Sequence, residues 1–251
     1  MKEISRDDLD ERGGRILKQN DTFCFECRPD LDCFNLCCRN LNLYLYPYDV
    51  IRLRKNLGIS SSEFIERHTG VVLRPGEVFP SVLLEMAENA EKTCPFLLEK
   101  GCGVYPDRPW ACRSFPTEHG MDYDEKNGKA SRVDLFRPPE FCLGRHEKKE
   151  WTVKRWLTNQ NALIYYEMTG VWADFLRRLP KDPWRGEGPG GRRGRMAFMA
   201  AYNIDEFRSF VFASSFLKRF DIPNALKKKL KTDDAALLKF GLEWILKHVI
   251  L

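Results

Sequence analysis

The pattern of apolar and polar positions changes character along the chain: short strand-like and helix-like signals come first, and a strongly helical stretch follows. Residues 1–22 are polar and are expected to form a loosely held arm. Leu41-Asn42-Leu43-Tyr44-Leu45-Tyr46 alternates with the period of two that suits a half-buried strand, because successive strand side chains face opposite sides. Pro47 then opens a helical run to Leu57. A first helical turn tolerates proline's missing N–H, and Gly58 is the expected stop. Ser60 and Glu63 stand at capping-box spacing, which predicts a second helix over Ser61–His68. Val71-Val72-Leu73 and Val82-Leu83-Leu84-Glu85-Met86 predict two strands separated by an Arg74-Pro75-Gly76 turn. Glycine and proline are dense between Cys94 and Pro116 and predict irregular backbone. Trp151 to Leu179 reads as helix, with Val153, Trp156, Leu157, Ile164 and Tyr165 at three- and four-residue steps. A Gly/Pro/Arg loop over 181–195 follows, then two or three helices over Met196–Phe220 and Asp233–Leu251, the last capped by Thr232 or Asp233. Trp151, Trp156, Trp172, Phe175, Phe198, Phe207, Phe210, Phe212 and Trp244 are expected to form the core of these C-terminal helices.

The fold class implied is α+β and helix-dominated: an irregular, cysteine-rich N-terminal portion packed on a helical C-terminal portion. By composition the chain divides into a polar arm (1–22), a cysteine-bearing region (23–146) and a helical region (147–251). At 251 residues it can bury a core without staples, and a hydrophobic content of 43% argues against disorder. The formal charge of +5 is that of an ordinary solvated surface, so nucleic acid is not an expected partner. No apolar run approaches the roughly 20 residues of a membrane-spanning helix. The charged opening Met1–Asp8 carries no signal-peptide pattern, which points to the cytoplasm. In that reducing compartment clustered thiols bind metal or do redox chemistry rather than pair permanently.

The cysteines then dominate the picture. Of nine, Cys24, Cys27, Cys33, Cys37 and Cys38 fall in one short stretch, followed by Cys94, Cys102, Cys112 and Cys142. Thiolates are soft ligands that suit zinc, copper(I) or iron–sulfur clusters. Cys24 and Cys27 are three apart and Cys33 and Cys37 four apart, so either pair can share a helical face or flank a tight turn. Cys37 and Cys38 are adjacent, and neighbouring side chains diverge in helices and strands, so these two are expected to serve different ligation points. With one cysteine left out, eight thiolates match two sets of four, the number usual for structural zinc or a [4Fe–4S] cluster. Arg28, Arg39, Arg108 and Arg113 lie beside the candidates in sequence and could offset their negative charge.

Three segments carry a resemblance: Phe25-x-Cys27-x5-Cys33-x3-Cys37-Cys38-Arg39-Asn40; Pro47-Tyr48-Asp49-Val50-x-Arg52-Leu53; and the run from Cys94-Pro95-Phe96-Leu97 through Gly101-Cys102-x-Val104-Tyr105 to Arg108-Pro109-x-x-Cys112-Arg113-x-Phe115-Pro116. Together they resemble the YkgJ-type cysteine-cluster family of bacterial and archaeal zinc- or iron-chelating, or iron–sulfur, proteins. The resemblance covers residues 23–144 most strongly. It implies metal ligation by Cys27, Cys33, Cys37, Cys38, Cys94, Cys102, Cys112 and Cys142, the last in a Cys-x-Gly position, and leaves Cys24 as the odd thiol. The implied cofactor is an iron–sulfur cluster, of the 4Fe–4S kind, or zinc. A similar cysteine pattern in flagellin lysine methylase, an enzyme linked to iron–sulfur-dependent methyl transfer, keeps an enzymatic alternative open beside a zinc-stabilised adaptor.

Sharper motifs fail. The radical-SAM spacing begins at Cys33 and Cys37, but Asn40 stands where a third cysteine is required. Gly186-Glu187-Gly188-Pro189-Gly190-Gly191 matches G-x-G-x-x-G in form, yet follows no strand. His146-Glu147-Lys148-Lys149-Glu150 lacks the second histidine of a zinc protease; His146, four residues after Cys142, is an alternative ligand, though it reads more readily as a surface residue. His68, His119 and His248 have no partner identifiable in the sequence. A protein partner is expected, if anywhere, at the helical tail or at the basic loop with Arg185, Arg192, Arg193 and Arg195. No catalytic acid, base or nucleophile stands out.

Overall fold

The computed structural model describes residues 2–3, 13–124, 129–220 and 222–250. Its strands are β1 (Lys2–Glu3), β2 (Arg15–Leu17), β3 (Thr22–Cys24), β4 (Tyr44–Leu45), β5 (Thr69–Val72), β6 (Ser81–Leu84), β7 (Leu97–Leu98), β8 (Gly101–Cys102), β9 (Thr117–Asp124), β10 (Lys129–Phe136) and β11 (Glu150–Thr152). The helices are α1 (Pro47–Leu57), α2 (Ser61–His68), α3 (Trp110–Ser114), α4 (Val153–Asn159), α5 (Leu163–Arg177), α6 (Arg192–Tyr202), α7 (Ile204–Ala213), α8 (Phe216–Arg219), α9 (Asn224–Thr232) and α10 (Asp234–Trp244). The helix-dominated α+β class is therefore observed. Among the described residues, no helix is long and apolar enough to cross a membrane.

The residues gather into two compact units, each drawing on several stretches of chain. The first comprises Met1–Leu41, Met86–Gly103 and Trp110–Ala173; the second comprises Asn42–Glu85, Val104–Pro109 and Asp174–Leu251. All nine cysteines lie in the first.

In the first unit a four-stranded sheet runs β1-β9-β10-β2, with β1 parallel to β9 and the other pairs antiparallel. The loosely held arm expected over 1–22 is corrected here: Arg15–Leu17 pairs with Asp134–Phe136, and Thr22–Cys24 pairs with β11. Leu17 is buried there while Ile16 faces out. Residues 4–12 of that arm lie outside the described residues. The long helix expected over Trp151–Leu179 is likewise broken. Trp151 lies in strand β11, and Asn161, with φ of 50°, separates α4 from α5. Trp151 and Trp156 consequently pack with Leu17, Phe23, Phe25 and Cys142 in the core of the first unit, not with the C-terminal helices. Both indole N–H groups are satisfied, Trp151 by Phe25 O (2.8 Å) and Trp156 by Ser114 O (3.0 Å).

In the second unit α1 and α2 form with the expected ends, whereas α6 begins at Arg192, inside the loop expected over 181–195, and α9 (Asn224–Thr232) forms where no helix was expected. Gly58 closes α1 in the left-handed region (φ 68°), and Ser60 Oγ accepts the Glu63 N–H (3.1 Å) at the head of α2. Strands β5 and β6 pair antiparallel, and β4 adds to the other side of β6. Asp233 caps α10 by accepting the Ala236 N–H (2.9 Å). Phe207 and Trp244 are buried and in ring contact, as the aromatic spacing of this region leads one to expect, and buried Phe216, not among the expected core residues, joins them against Trp244.

Candidate metal centre

The stretch from Arg28 to Cys38 is a chain of tight turns. Leu31 N–H donates to Arg28 O, Phe34 to Leu31 (2.8 Å), Leu36 to Cys33 and Cys38 to Asn35 (3.0 Å). Asn35 sits in the left-handed region (φ 66°), which asparagine tolerates better than most residues, and it heads the 3-10 turn Leu36–Cys38. This winding holds Cys33, Cys37 and Cys38 together on a short span.

The later cysteines are brought in by main-chain bonds. Cys94 N–H donates to Cys38 O (2.8 Å) and Asn40 N–H to Lys92 O (2.9 Å), with an antiparallel bridge between Arg39 and Thr93. A short hairpin then carries Cys102, paired in register with Leu97 of β7. Cys142 arrives from beyond β10, and the next residue, Leu143, donates its N–H to Cys33 Sγ (3.3 Å). Gly144 explains the Cys-x-Gly spacing, since a Cβ there would stand 2.5 Å from Glu26 O and 3.0 Å from the Phe25 ring. The glycine lets Gly144 O accept the Glu26 N–H (3.1 Å), which ties the two ends of the cysteine region together. Cys112 rides on α3, whose Arg113 is buried, donates to Gln160 O and lies over the Tyr165 ring at 4.5 Å.

The electrostatics of the sulfurs show which of them are neighbours. The Cys38 S–H donates to Cys37, which draws the Cys37 thiol down to about 7 against the opposing effect of burial. Cys38 is pushed well up by giving that bond, by burial, and by the charge that Cys37, Cys112 and Cys94 would carry. Burial raises Cys94, with Cys102 and Cys37 adding to it. Burial also raises Cys142, with Cys33 and Cys37 adding to it. Cys33, Cys37, Cys38, Cys94, Cys102, Cys112 and Cys142 thus form one linked set in which the charge of one thiolate opposes the ionisation of Cys38, Cys94 and Cys142, while Cys37 is instead favoured by Cys38. Adjacent Cys37 and Cys38 both lie on the 3-10 turn Leu36–Cys38. Cys27 is exposed, and so is Cys24 on strand β3.

The donor chemistry fits a soft cation, which would relieve the mutual repulsion of crowded thiolates. Among the described residues, no three His, Cys, Asp or Glu side chains are poised together as a ready ligand set, so the thiols gather as neighbours without a closed coordination sphere. Two of the four arginines weighed for charge balance are held by carboxylates instead. Arg28 pairs with Glu147 (2.9 Å) and Asp30, and Arg39 pairs with Glu91. Arg108 belongs to the second unit and lies over Tyr105. His146 is exposed, accepting from the Arg145 guanidinium at 3.3 Å.

One polar assembly had no counterpart in the sequence reading. Buried His119 bridges Thr117 Oγ1 (2.8 Å) and Asp134 Oδ1 (2.6 Å), while the Thr117 hydroxyl reaches Ser114 O (2.7 Å) at the end of α3. The signal was present in the i, i+2 spacing of Thr117 and His119, and β10 sets Asp134 directly opposite His119.

Curated proteins gave no match to the chain, and neither did solved structures. A family model does match, over residues 26–142: CxxCxxCC, described as a "putative zinc- or iron-chelating domain". The cysteine-bearing stretch of this chain, residues 26–142, is thus similar to that cysteine-cluster family.

Proposed function

We propose that this protein holds an iron–sulfur cluster of the 4Fe–4S kind, or zinc, through the thiolates of Cys27, Cys33, Cys37, Cys38, Cys94, Cys102, Cys112 and Cys142. The observation that carries this reading is that the backbone brings cysteines from separate stretches together, with Cys94 N–H on Cys38 O (2.8 Å) and the Leu143 N–H beside Cys142 on Cys33 Sγ (3.3 Å). Residues that serve only to fill a core have no reason to converge by sulfur. A bound cluster supplies one-electron chemistry, and bound zinc supplies a fixed cross-link. The chain's own contribution is to bring the sulfurs together through the Cys38–Cys94 main-chain bond and the Gly144–Glu26 closure, and to offer the Leu143 N–H to the Cys33 sulfur.

Anaerobic purification with metal analysis tests it. A brown protein with iron and acid-labile sulfide, bleached by dithionite, is the expected result for the cluster; a colourless protein with stoichiometric zinc identifies the structural alternative. A folded protein containing neither metal, and unable to take up either on reconstitution, overturns the reading.

A further inference from the structure

The second unit carries an open groove of about 690 Å³, within the roughly 300–1,000 Å³ range of ligand pockets. One wall is Val71, Val72 and Leu73; the other is formed by Met196 and Met199 of α6, and Arg192 and Arg195 stand at the head of that helix. Three independent features of this groove describe its ligand.

First, β5 is the edge of its sheet, which runs β4-β6-β5. Glu85 N–H donates to His68 O, and the register pairs Gly70 with Leu83 and Val72 with Ser81. In an antiparallel pair, hydrogen-bonded and non-bonded positions alternate. The N–H and C=O of Val71 therefore point away from β6, towards the open edge, where they can bind another main chain. Second, the edge is apolar as well as open: Val71 is 49% and Leu73 50% exposed. Natural edges are usually guarded by charge or proline, and this one carries neither at those positions. Third, the groove has an excess of positive charge. Among the described residues, Arg192 is exposed with no ion pair, Arg195 is exposed and donates to Gly190 O, and Glu206 is the one acidic residue lining the groove.

From these features we infer that the groove beside β5 captures an extended peptide segment of a partner protein. The segment adds a strand at Val71, sets apolar side chains against Val71, Leu73, Met196 and Met199, and places acidic residues by Arg192 and Arg195. This inference is independent of the metal centre, whose cysteines all lie in the first unit.

The test uses the full chain and a fluorescein-labelled octapeptide in which Val-Thr-Val-Thr is flanked by two glutamates at each end, with a version carrying lysines in place of the glutamates. Fluorescence anisotropy is expected to show saturable binding of the acidic peptide and at least tenfold weaker binding of the basic one. Val71→Pro removes an N–H that β6 does not use, so it is expected to keep the wild-type melting temperature and to weaken peptide binding at least tenfold. The double variant R192E/R195E is expected to reverse the charge preference, which preserves the test if the proline variant does not fold. Equal binding of both peptides, no binding of either, or unchanged binding by a folded Val71→Pro variant overturns the proposal. Displacement of the peptide by decanoate that is insensitive to Val71→Pro would make the groove a site for acyl chains instead. A dimer in solution that Val71→Pro dissociates would assign the edge to a second copy of the chain.

Discussion

At Gly144 a single hydrogen atom decides whether the cysteine region can close. An added methyl would press on Glu26 O at 2.5 Å, a rigid main-chain atom that cannot swing aside. Gly144→Ala is expected to cost about 1–3 kcal/mol, the usual range for overpacking, and urea denaturation measures it. Cys37 offers a sharper chemical handle. Its folded thiol is drawn down to about 7 by the Cys38 S–H, below the ordinary thiol value, so its thiolate persists at neutral pH and is lost as pH falls through that value. In chelator-treated, reduced protein, iodoacetamide labelling of Cys37 should therefore rise with pH through an inflection near that value. Cys38→Ala removes the donor and should move the inflection upward; an unmoved inflection would show that the contact does not control it. Cys24, exposed on β3 and outside the linked set, is the control: Cys24→Ser should leave metal content unchanged, whereas Cys37→Ser and Cys38→Ser should lower it.

At the scale of elements, short-range chemistry sets the helix ends. Ser60 satisfies the Glu63 N–H, one of the four donors that a helix start leaves open. Ser60→Ala should lower stability by about 1 kcal/mol, read from thermal melts, while Ser60→Asp should restore most of it. Such caps were legible because they rest on residues three apart. The β9–β10 hairpin was not read from the sequence. Its pairing, which sets His119 against Asp134, depends on register between strands, and register is a property of two segments together. The misreading of Trp151–Leu179 as one helix has a similar cause. Periodicity reports which residues are apolar, but strand pairing of Glu150–Thr152 with Thr22–Cys24 outweighed helical propensity there.

For the molecule as a whole, metal and fold should be coupled in one unit and not in the other. The thiols come from stretches around residues 33–38, 94–102, 112 and 142, so binding an ion there ties together parts of the chain that otherwise meet through a few main-chain bonds. Removal of metal with chelator and reductant should accelerate hydrogen exchange in those stretches, while β5, β6, α2 and α10 of the second unit keep their protection. Uniform loss of protection through both units would argue instead that metal holds up the entire chain.

The sequence by itself determined the chemistry and the local elements: eight of the nine cysteines in a family-like pattern, the helix ends at Ser60, Gly58 and Asp233, and the helix-dominated α+β class. These are legible because ligand softness, caps and periodicity act over a few residues. Only the tertiary structure decided which sulfurs are neighbours, that Trp151 and Trp156 line the core beneath Cys142, that Arg28 and Arg39 are paired with carboxylates, and that the backbone of Val71 faces outward. Each of those facts depends on segments far apart in the chain meeting in one register. That meeting is settled by the burial and hydrogen bonding of the whole unit, which no local pattern encodes.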